Sequence, residues 1–411
     1  MRAAARNGDS GHSKNRILVV TLDAYRFSTR SRKAAIRYSS LASTSYLGLA
    51  GVGRTGRWDK PGKFVADGVA VEQIPVRRPW LAPTRSSQVR NLFLSYLPAF
   101  VRMARAVIRV PAGVIHVTGI PLALLGVIHR ARFGSTIILD ITERPGVVTA
   151  SGSLASVFSR VEPKLLGWIS RHVDVATVVT EGDLETVTNL GFQRVFLVRN
   201  APCASWRAPY TPPPTVAGGG LLGVVIGTIF EGRGYELLLR ALAKVRNERD
   251  VRLAVYGPGR EEYLAKLNRL TVELGIADRV SWMGRIDSGD VSAAYLAAQV
   301  GVVLYETSDL GNDGLSNKIL ECVSTGRPVI AGDLPENRSF VATNGVGWLV
   351  DVGVDAIAQA LLEVGAHDDI PELSARCRRY GDTWLNWESE FAEVLAVVSQ
   401  RQASEVQSRT G

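Results

Sequence analysis

Short, nearly all-apolar runs punctuate this chain at regular intervals, and charged, helix-period stretches fill the spaces between them. In the first half the runs Arg16–Thr21, Ser45–Ala50, Val69–Pro75, Val114–Gly119, Ile137–Asp140 and Asp174–Val179 read as strands. In the second half Leu221–Ile226, Val251–Tyr256, Val280–Met283, Gly301–Tyr305, Val329–Ala331 and Asn344–Val350 read the same way. Helices are predicted from Arg30 to about Leu41, across Asn91–Val110 with a break near Pro98, and over Glu162–Ser170. Another follows Thr180, which stands three residues before Asp183 in a capping arrangement. Further helices are predicted over Tyr235–Arg246, 260–275, 290–298 and onward from Ile319. Strand–helix alternation in both halves predicts an α/β protein of two Rossmann-like parallel-sheet domains facing a cleft. The Pro-rich, then Gly-rich stretch 207–220 predicts the linker between them. The expected organisation is a disordered tail 1–15, a first domain 16–206, the linker, a second domain 221–383 and a terminal helix 384–400.

A length of 411 residues and 46% hydrophobic content suit two domains with full cores. Three cysteines (Cys203, Cys322, Cys377) supply neither a metal-type pair nor a disulfide framework. The polar N-terminus lacks the apolar core of a signal peptide, and no run of 18 apolar residues is present. A cytosolic protein, peripheral to the inner face of a membrane, is therefore expected. The charge is lopsided. Residues 1–150 hold 23 Lys and Arg against 7 Asp and Glu, and the rest hold 25 against 32, for a net +9. Such asymmetry predicts an anionic partner for the first half. Nucleic acid is not expected, since no recognised motif or aromatic platform accompanies the charge. An anionic membrane surface or a phosphate-bearing lipid fits better. Arg102, Arg105 and Arg109 fall on one side of their helix, opposite Phe100, Val107 and Ile108, a pattern that can lie on lipid.

The candidate chemistry centres on Asp313-Gly-Leu-Ser-Asn-Lys-Ile-Leu-Glu321, which runs into a Gly326-Arg-Pro turn and the strand Val329–Ala331. This reads as a loop entering a helix N-terminus, where free N–H groups and the helix dipole attract an anion. Asn317 and Lys318 share a helix face with Glu321. A carboxylate one turn inside such a site can accept from both hydroxyls of a ribose diol. The stretch is accordingly a pocket for a nucleoside diphosphate. Gly51-Val-Gly-Arg-Thr-Gly56 spells a dinucleotide fingerprint, but a loop and not a helix follows it, so it reads as a turn.

The 313–321 motif with its Gly-x-Pro-Val turn resembles the donor-binding motif of the retaining GT-B glycosyltransferases of glycosyltransferase family 4 type. Other stretches agree in order: Gly227–Gly234, Gly257-Pro-Gly259, Asn344–Val350 and the Trp384/Trp387 segment, which in such enzymes crosses back to the first domain. The resemblance implies transfer of a sugar from a nucleotide-diphosphate sugar to a glycan or lipid-linked acceptor, with retention of configuration and without metal or other cofactor. It implies Asp313, Glu321, Arg233 and Lys318 as catalytic residues. Gly227, Thr228, Gly257, Gly314, Leu315, Ser316 and Asn317 would line the donor, and His116, Thr118, Glu143 and Arg30 would face the acceptor. Three positions depart from the pattern: Asp313 replaces the usual Glu, Thr228 the first of two basic residues, and Thr118 the second histidine of a His-x-His pair. These departures keep other readings open: a non-catalytic sugar-nucleotide-binding subunit, a sugar-nucleotide epimerase or phosphorylase of the same fold, or a membrane-surface adaptor.

Overall fold

A computed structural model describes residues 15–26, 28–50, 60–76, 97–142, 162–306 and 315–410. The chain divides into two units: the first takes it up to Val198 and again from Phe391, and the second is Arg199–Glu390.

In the first unit the strands are β1 (Arg16–Val20), β2 (Ser43–Ala50), β3 (Gly62–Ala66), β4 (Val69–Pro75), β5 (Val114–Thr118), β6 (Thr136–Ile141), β7 (Val175–Val178) and β8 (Val195–Leu197). They lie in the order β3-β4-β2-β1-β5-β6-β7-β8. All pairs are parallel except the β3–β4 hairpin, whose tight turn places the exposed β3 at the sheet edge. Central strands are buried along their length, as apolar parallel strands covered on both faces must be. The helices are α1 (Thr29–Ser39), α2 (Leu97–Val107), α3 (Ala123–Phe133), α4 (162–169) and α5 (Glu181–Asn189). Pro98 sits in the first turn of α2, where its missing N–H costs nothing. That helix buries Ala99, Met103 and Val107 at four-residue spacing, which leaves Arg102, Arg105 and the following Arg109 exposed. The predicted cap of α5 is present: Thr180 Oγ1 accepts from Asp183 N at 3.1 Å.

The second unit holds β9 (Leu221–Ile226), β10 (Val251–Tyr256), β11 (Val280–Gly284), β12 (Val300–Val303), β13 (Val329–Gly332) and β14 (Gly347–Val350). Their order is β11-β10-β9-β12-β13-β14, parallel throughout. Around them pack α6 (Tyr235–Val245), α7 (Glu261–Glu273), α8 (Val291–Leu296), α9 (Asn317–Thr325), α10 (Pro335–Asn344), α11 (Val354–Gly365) and α12 (Ile370–Thr383). The long α13 (Trp387–Thr410) begins in the second unit and continues from Phe391 in the first. There Phe391 packs its ring 5.3 Å from that of Tyr38. No described helix is long and apolar enough to cross a membrane.

Three features differ from the sequence reading. The first unit ends at Val198 rather than Trp206, and the 207–220 stretch lies on the second unit. It is held there through its backbone: Ala208 N donates to Ser292 Oγ (2.8 Å), and the buried Arg327 guanidinium donates to the Thr211 and Pro212 carbonyls (3.0 and 3.2 Å). Proline-rich composition makes a stiff strap as readily as a free linker when carbonyls find fixed donors. Terminal helix α13 starts at Trp387, with 384–390 in the second unit, and it extends to Thr410. Strand β3 and helices α3, α10, α11 and α12 were not part of that reading, although α11 buries Ile357, Ala358, Leu361 and Val364 at helical spacing.

Candidate functional site

In the second sheet the strand order runs outward from β9 through β10 to β11 on one side, and from β12 through β13 to β14 on the other. In an open parallel sheet the crevice at such a reversal, outside the strand carboxyl ends, is where ligands bind. Here the segments leaving β9 and β12 meet at that point: Glu306 N, just beyond β12, donates to the Gly232 carbonyl in the Gly227–Gly234 loop (3.0 Å).

Close backbone approach builds the floor. Gly227 N donates to the Tyr256 carbonyl (2.9 Å) and Gly257 N to the Gly284 carbonyl (2.7 Å), lacing the ends of β9, β10 and β11 together. A Cβ on Gly257 would fall 1.7 Å from the Gly227 oxygen, and Gly257 has φ +152°, so only glycine fits. Over this floor lies Lys318: its Cε is 3.4 Å from where a Gly227 Cβ would be. Lys318 projects from the first turn of α9, which Ser316 caps by accepting from Lys318 N. Tyr295, buried beneath, donates its hydroxyl to the Lys318 carbonyl (3.2 Å). Burial raises the Tyr295 hydroxyl pKa well above its ordinary value, and the nearby Glu321 charge adds to this, so it stays a neutral donor.

Arg233 completes the ring of cationic groups. Its guanidinium carbon lies 4.5 Å from the ring centroids of both Phe230 and Tyr305. Nη1 donates to the Tyr305 hydroxyl (2.9 Å), which is in turn 2.9 Å from Ser316 Oγ. Arg233 Nε is buried without a partner. Among the described residues no carboxylate pairs with Arg233 or Lys318. Two half-buried cations and a capped helix N-terminus, with donor capacity unspent, can bind a multiply charged anion. Of the predicted site, the fold thus brings together Gly227, Gly257, Arg233, Ser316 and Lys318. Leu315, Asn317 and Glu321 follow on the same loop and helix, and Thr228 is exposed beside Gly227. Asp313 and Gly314 lie outside the described residues. Tyr305 and Phe230 were missed; aromatic residues directly beside a strand end or a glycine loop were the available signal.

Beside Gly257 a cavity of about 680 Å³ opens where β10 ends, lined by Tyr256, Arg285, Asp287, Asp290 and the small face of α8. This size is ordinary for a small-molecule site. Among the described residues no group of three His, Cys, Asp or Glu side chains is placed to hold a metal ion.

The residues expected to face an acceptor are placed differently. Arg30 is buried and chelated: Nε and Nη2 donate to the Asp140 carboxylate at 2.7–2.8 Å, and Nη1 donates to the Val198 carbonyl. Thr177 donates to the same carboxylate (2.6 Å). Burial works against the Asp140 charge, but the Arg30 guanidinium outweighs it and holds the carboxyl below its usual range. His116 is 2% exposed, with Nδ1 3.0 Å from the Tyr38 hydroxyl and Nε2 buried without a partner. Desolvation pushes its pKa down to about 4. Arg30 and His116 are thus buried among the first unit's own residues. Thr118 pairs with Ser31 (2.9 Å) at the end of β5, half-buried. Glu143 and the 51–56 glycine run lie outside the described residues. A separate groove of about 790 Å³ runs between α2 and the β3–β4 edge, lined by Lys63, Glu72, Arg102, Arg105 and Arg109.

Comparison with solved structures puts the fold among the two-domain GT-B glycosyltransferases. Sucrose-phosphate synthase from Thermosynechococcus elongatus superposes with a TM-score of 0.69 at 17% identity, over 95% of this chain and 100% of that one. The Anabaena protein HepE in complex with UDP gives 0.66 at 11% identity, over 94% and 100%. In sequence, residues 222–367 match the family described as Glycosyl transferases group 1. A GDP-mannose-dependent alpha-(1-6)-phosphatidylinositol monomannoside mannosyltransferase of Mycobacterium tuberculosis is 31% identical over 176 residues, 42% of this chain and 45% of that protein. A phosphatidyl-myo-inositol mannosyltransferase of Mycobacterium leprae is 30% identical over 192 residues, 45% and 48% of the two chains. The chain thus spans about half the length of the curated relatives it matches.

Proposed function

We propose that this protein is a retaining glycosyltransferase that uses a nucleoside-diphosphate sugar, GDP-mannose being the first donor to test. The observation that carries the reading is the convergence of Arg233, Lys318 and the capped N-terminus of α9 at the reversal point of the second sheet. A diphosphate carries the multiple negative charge that two cations and a helix N-terminus call for. In the reaction, the acceptor hydroxyl oxygen bonds to the sugar's anomeric carbon on the face from which the diphosphate departs, its proton passes to the departing diphosphate, and negative charge grows on the diphosphate oxygens as the bond to them breaks. Arg233 and Lys318 meet that charge without reorganising, which lowers the barrier with no metal required. Glu321 is assigned to the ribose and Asp313 to sugar hydroxyls. The cavity at Tyr256 takes the nucleoside, where the Asp287 or Asp290 carboxylate can accept from the paired N–H groups of guanine.

The mannosyltransferase relatives and the arginine-rich α2 groove support a phosphate-bearing, lipid-linked acceptor met at an anionic membrane surface. Binding to phosphatidylinositol-containing vesicles, absent with neutral phosphatidylcholine and lost at high salt, is the expected result.

The direct test is a thermal-shift panel of GDP, UDP, ADP, TDP and CMP in EDTA, followed by turnover of the matching sugar donor and determination of the product anomer. A clear shift with one diphosphate and an α-linked product from an α-linked donor are expected. Inversion of configuration overturns the retaining assignment. One observation favours a second reading: an exposed Thr228 stands where the resemblance puts a basic residue. A non-catalytic nucleotide-sugar-binding subunit would show the same thermal shift without turnover.

A further inference from the structure

The geometry points to Tyr305 as the positioning residue of the anion site, joining Arg233 to the N-terminus of α9 as one hydrogen-bonded unit. This inference rests on the donor-site reading above and goes beyond it, since the diphosphate motif does not include position 305.

The direction of the first hydrogen bond is fixed by chemistry. A guanidinium only donates, so Tyr305 Oη accepts from Arg233 Nη1. The phenolic proton is then free for Ser316 Oγ, 2.9 Å away. Ser316 Oγ also accepts from Lys318 N in the first turn of the helix, one of the amides that lack an intrahelical partner. Arg233, Tyr305, Ser316 and Lys318 N thus form one continuous hydrogen-bonded series with a donor and an acceptor at every link. The Tyr305 ring does a second job: with Phe230 it stacks against the guanidinium, each centroid 4.5 Å from its carbon. Tyr305 is itself 5% exposed and follows directly on β12, so it has little freedom to move. An arginine side chain has many rotamers to lose when it is fixed in one geometry. Two rings and one hydroxyl remove that freedom before ligand arrives. This compensates for the missing basic residue at Thr228, because one pre-oriented guanidinium loses less on binding than a mobile one. The orphan Arg233 Nε marks donor capacity left over for the ligand.

Tyr305→Phe keeps the ring and deletes only the hydroxyl. Calorimetric titration with whichever of GDP, UDP or ADP binds the unmodified protein best should show about a tenfold weaker Kd, with the matching nucleoside unaffected and the melting temperature nearly unchanged. The decisive comparison is the same substitution in an Arg233→Ala background. A positioning role predicts less than about a twofold further loss there, because Tyr305 then has nothing to orient. An equal tenfold loss in both backgrounds, or no loss in either, overturns the inference while leaving the donor site intact. If the unmodified protein binds no nucleoside diphosphate, the donor-site reading falls, and this inference falls with it. Should Tyr305→Phe prove unstable, Ser316 tests the same series from its other end. Ser316→Thr retains a hydroxyl and should restore the diphosphate affinity that Ser316→Ala loses; equal affinities for the two variants overturn the coupling.

Discussion

The two sheets of this protein have the same kind of reversal point, and they use it in opposite ways. In the first, the order turns at β1 and β5, where helix α1 presents Arg30 and strand β6 supplies Asp140. That pair is closed on itself: both carboxylate oxygens and the guanidinium are consumed by internal partners, with side chains 1% and 10% exposed. In the second, the order turns at β9 and β12, where Arg233 and Lys318 stand half-buried without a carboxylate among the described residues. The difference teaches how to tell structural charge from functional charge in one fold. A buried ion pair with every lone pair satisfied serves the core, whereas partly desolvated like charges with spare donors store an unmet demand for an anion.

The sharpest way to break this contrast is to cut the closed pair. Asp140→Ala strands the buried Arg30 charge and should cost about 3–5 kcal/mol, read as a lowered urea midpoint. The folded fraction should bind nucleoside diphosphate as before; weakened binding at unchanged stability would mean that the first unit's pair belongs to the site after all.

Next in size is the pH response of the same core. His116 has its folded pKa depressed to about 4 from 6.5, so the unfolded chain takes up this proton first as pH falls. Its contribution to stability is complete above pH 6.5 and is lost progressively down to about pH 4. The full loss amounts to about 3 kcal/mol. Tyr38, Asp140 and Arg30 stay in place in His116→Gln, and a urea series from pH 7 to 4 should show a shallower decline for that variant. Equal slopes would remove His116 from the account.

On the second sheet, Arg233→Ala should weaken nucleoside-diphosphate affinity by about 2–3 kcal/mol, measured by titration, with little change in melting temperature. A matching loss for the bare nucleoside would point to a damaged loop. The smallest effect sharpens the contrast from the other direction. Thr228→Arg adds a cation beside the same floor and should tighten diphosphate binding by about 1 kcal/mol, most visibly at low salt. No gain at any ionic strength would show that Arg233 and Lys318 already saturate the ligand's charge.

Much of this was legible before any coordinates. Apolar runs buried on both faces announce parallel strands whatever their neighbours, so β1, β4, β9, β10 and the start of α9 stand where the pattern put them. Lys318, Ser316 and Glu321 were legible because they share one local segment, and local spacing survives folding. Hydrogen-bond chemistry also marked Thr180 as a cap. What the sequence could not determine is which distant groups meet. Arg30 and Asp140 are 110 positions apart. Nothing in either segment distinguishes a chelated core arginine from a solvent-facing one, and the strand position of His116 did not reveal that Tyr38 and Phe391 would pack against it. The 207–220 stretch has the composition of a free linker, and only the Ser292 hydroxyl that accepts from Ala208 N and the Arg327 guanidinium that donates to its carbonyls make it a strap. Tyr305 gained its place solely because β9 and β12 became neighbours. Local pattern determines element type and which residues share a face. Tertiary structure alone decided which charges are neutralised and which remain available, because that depends on the partners a fold brings within about 3 Å.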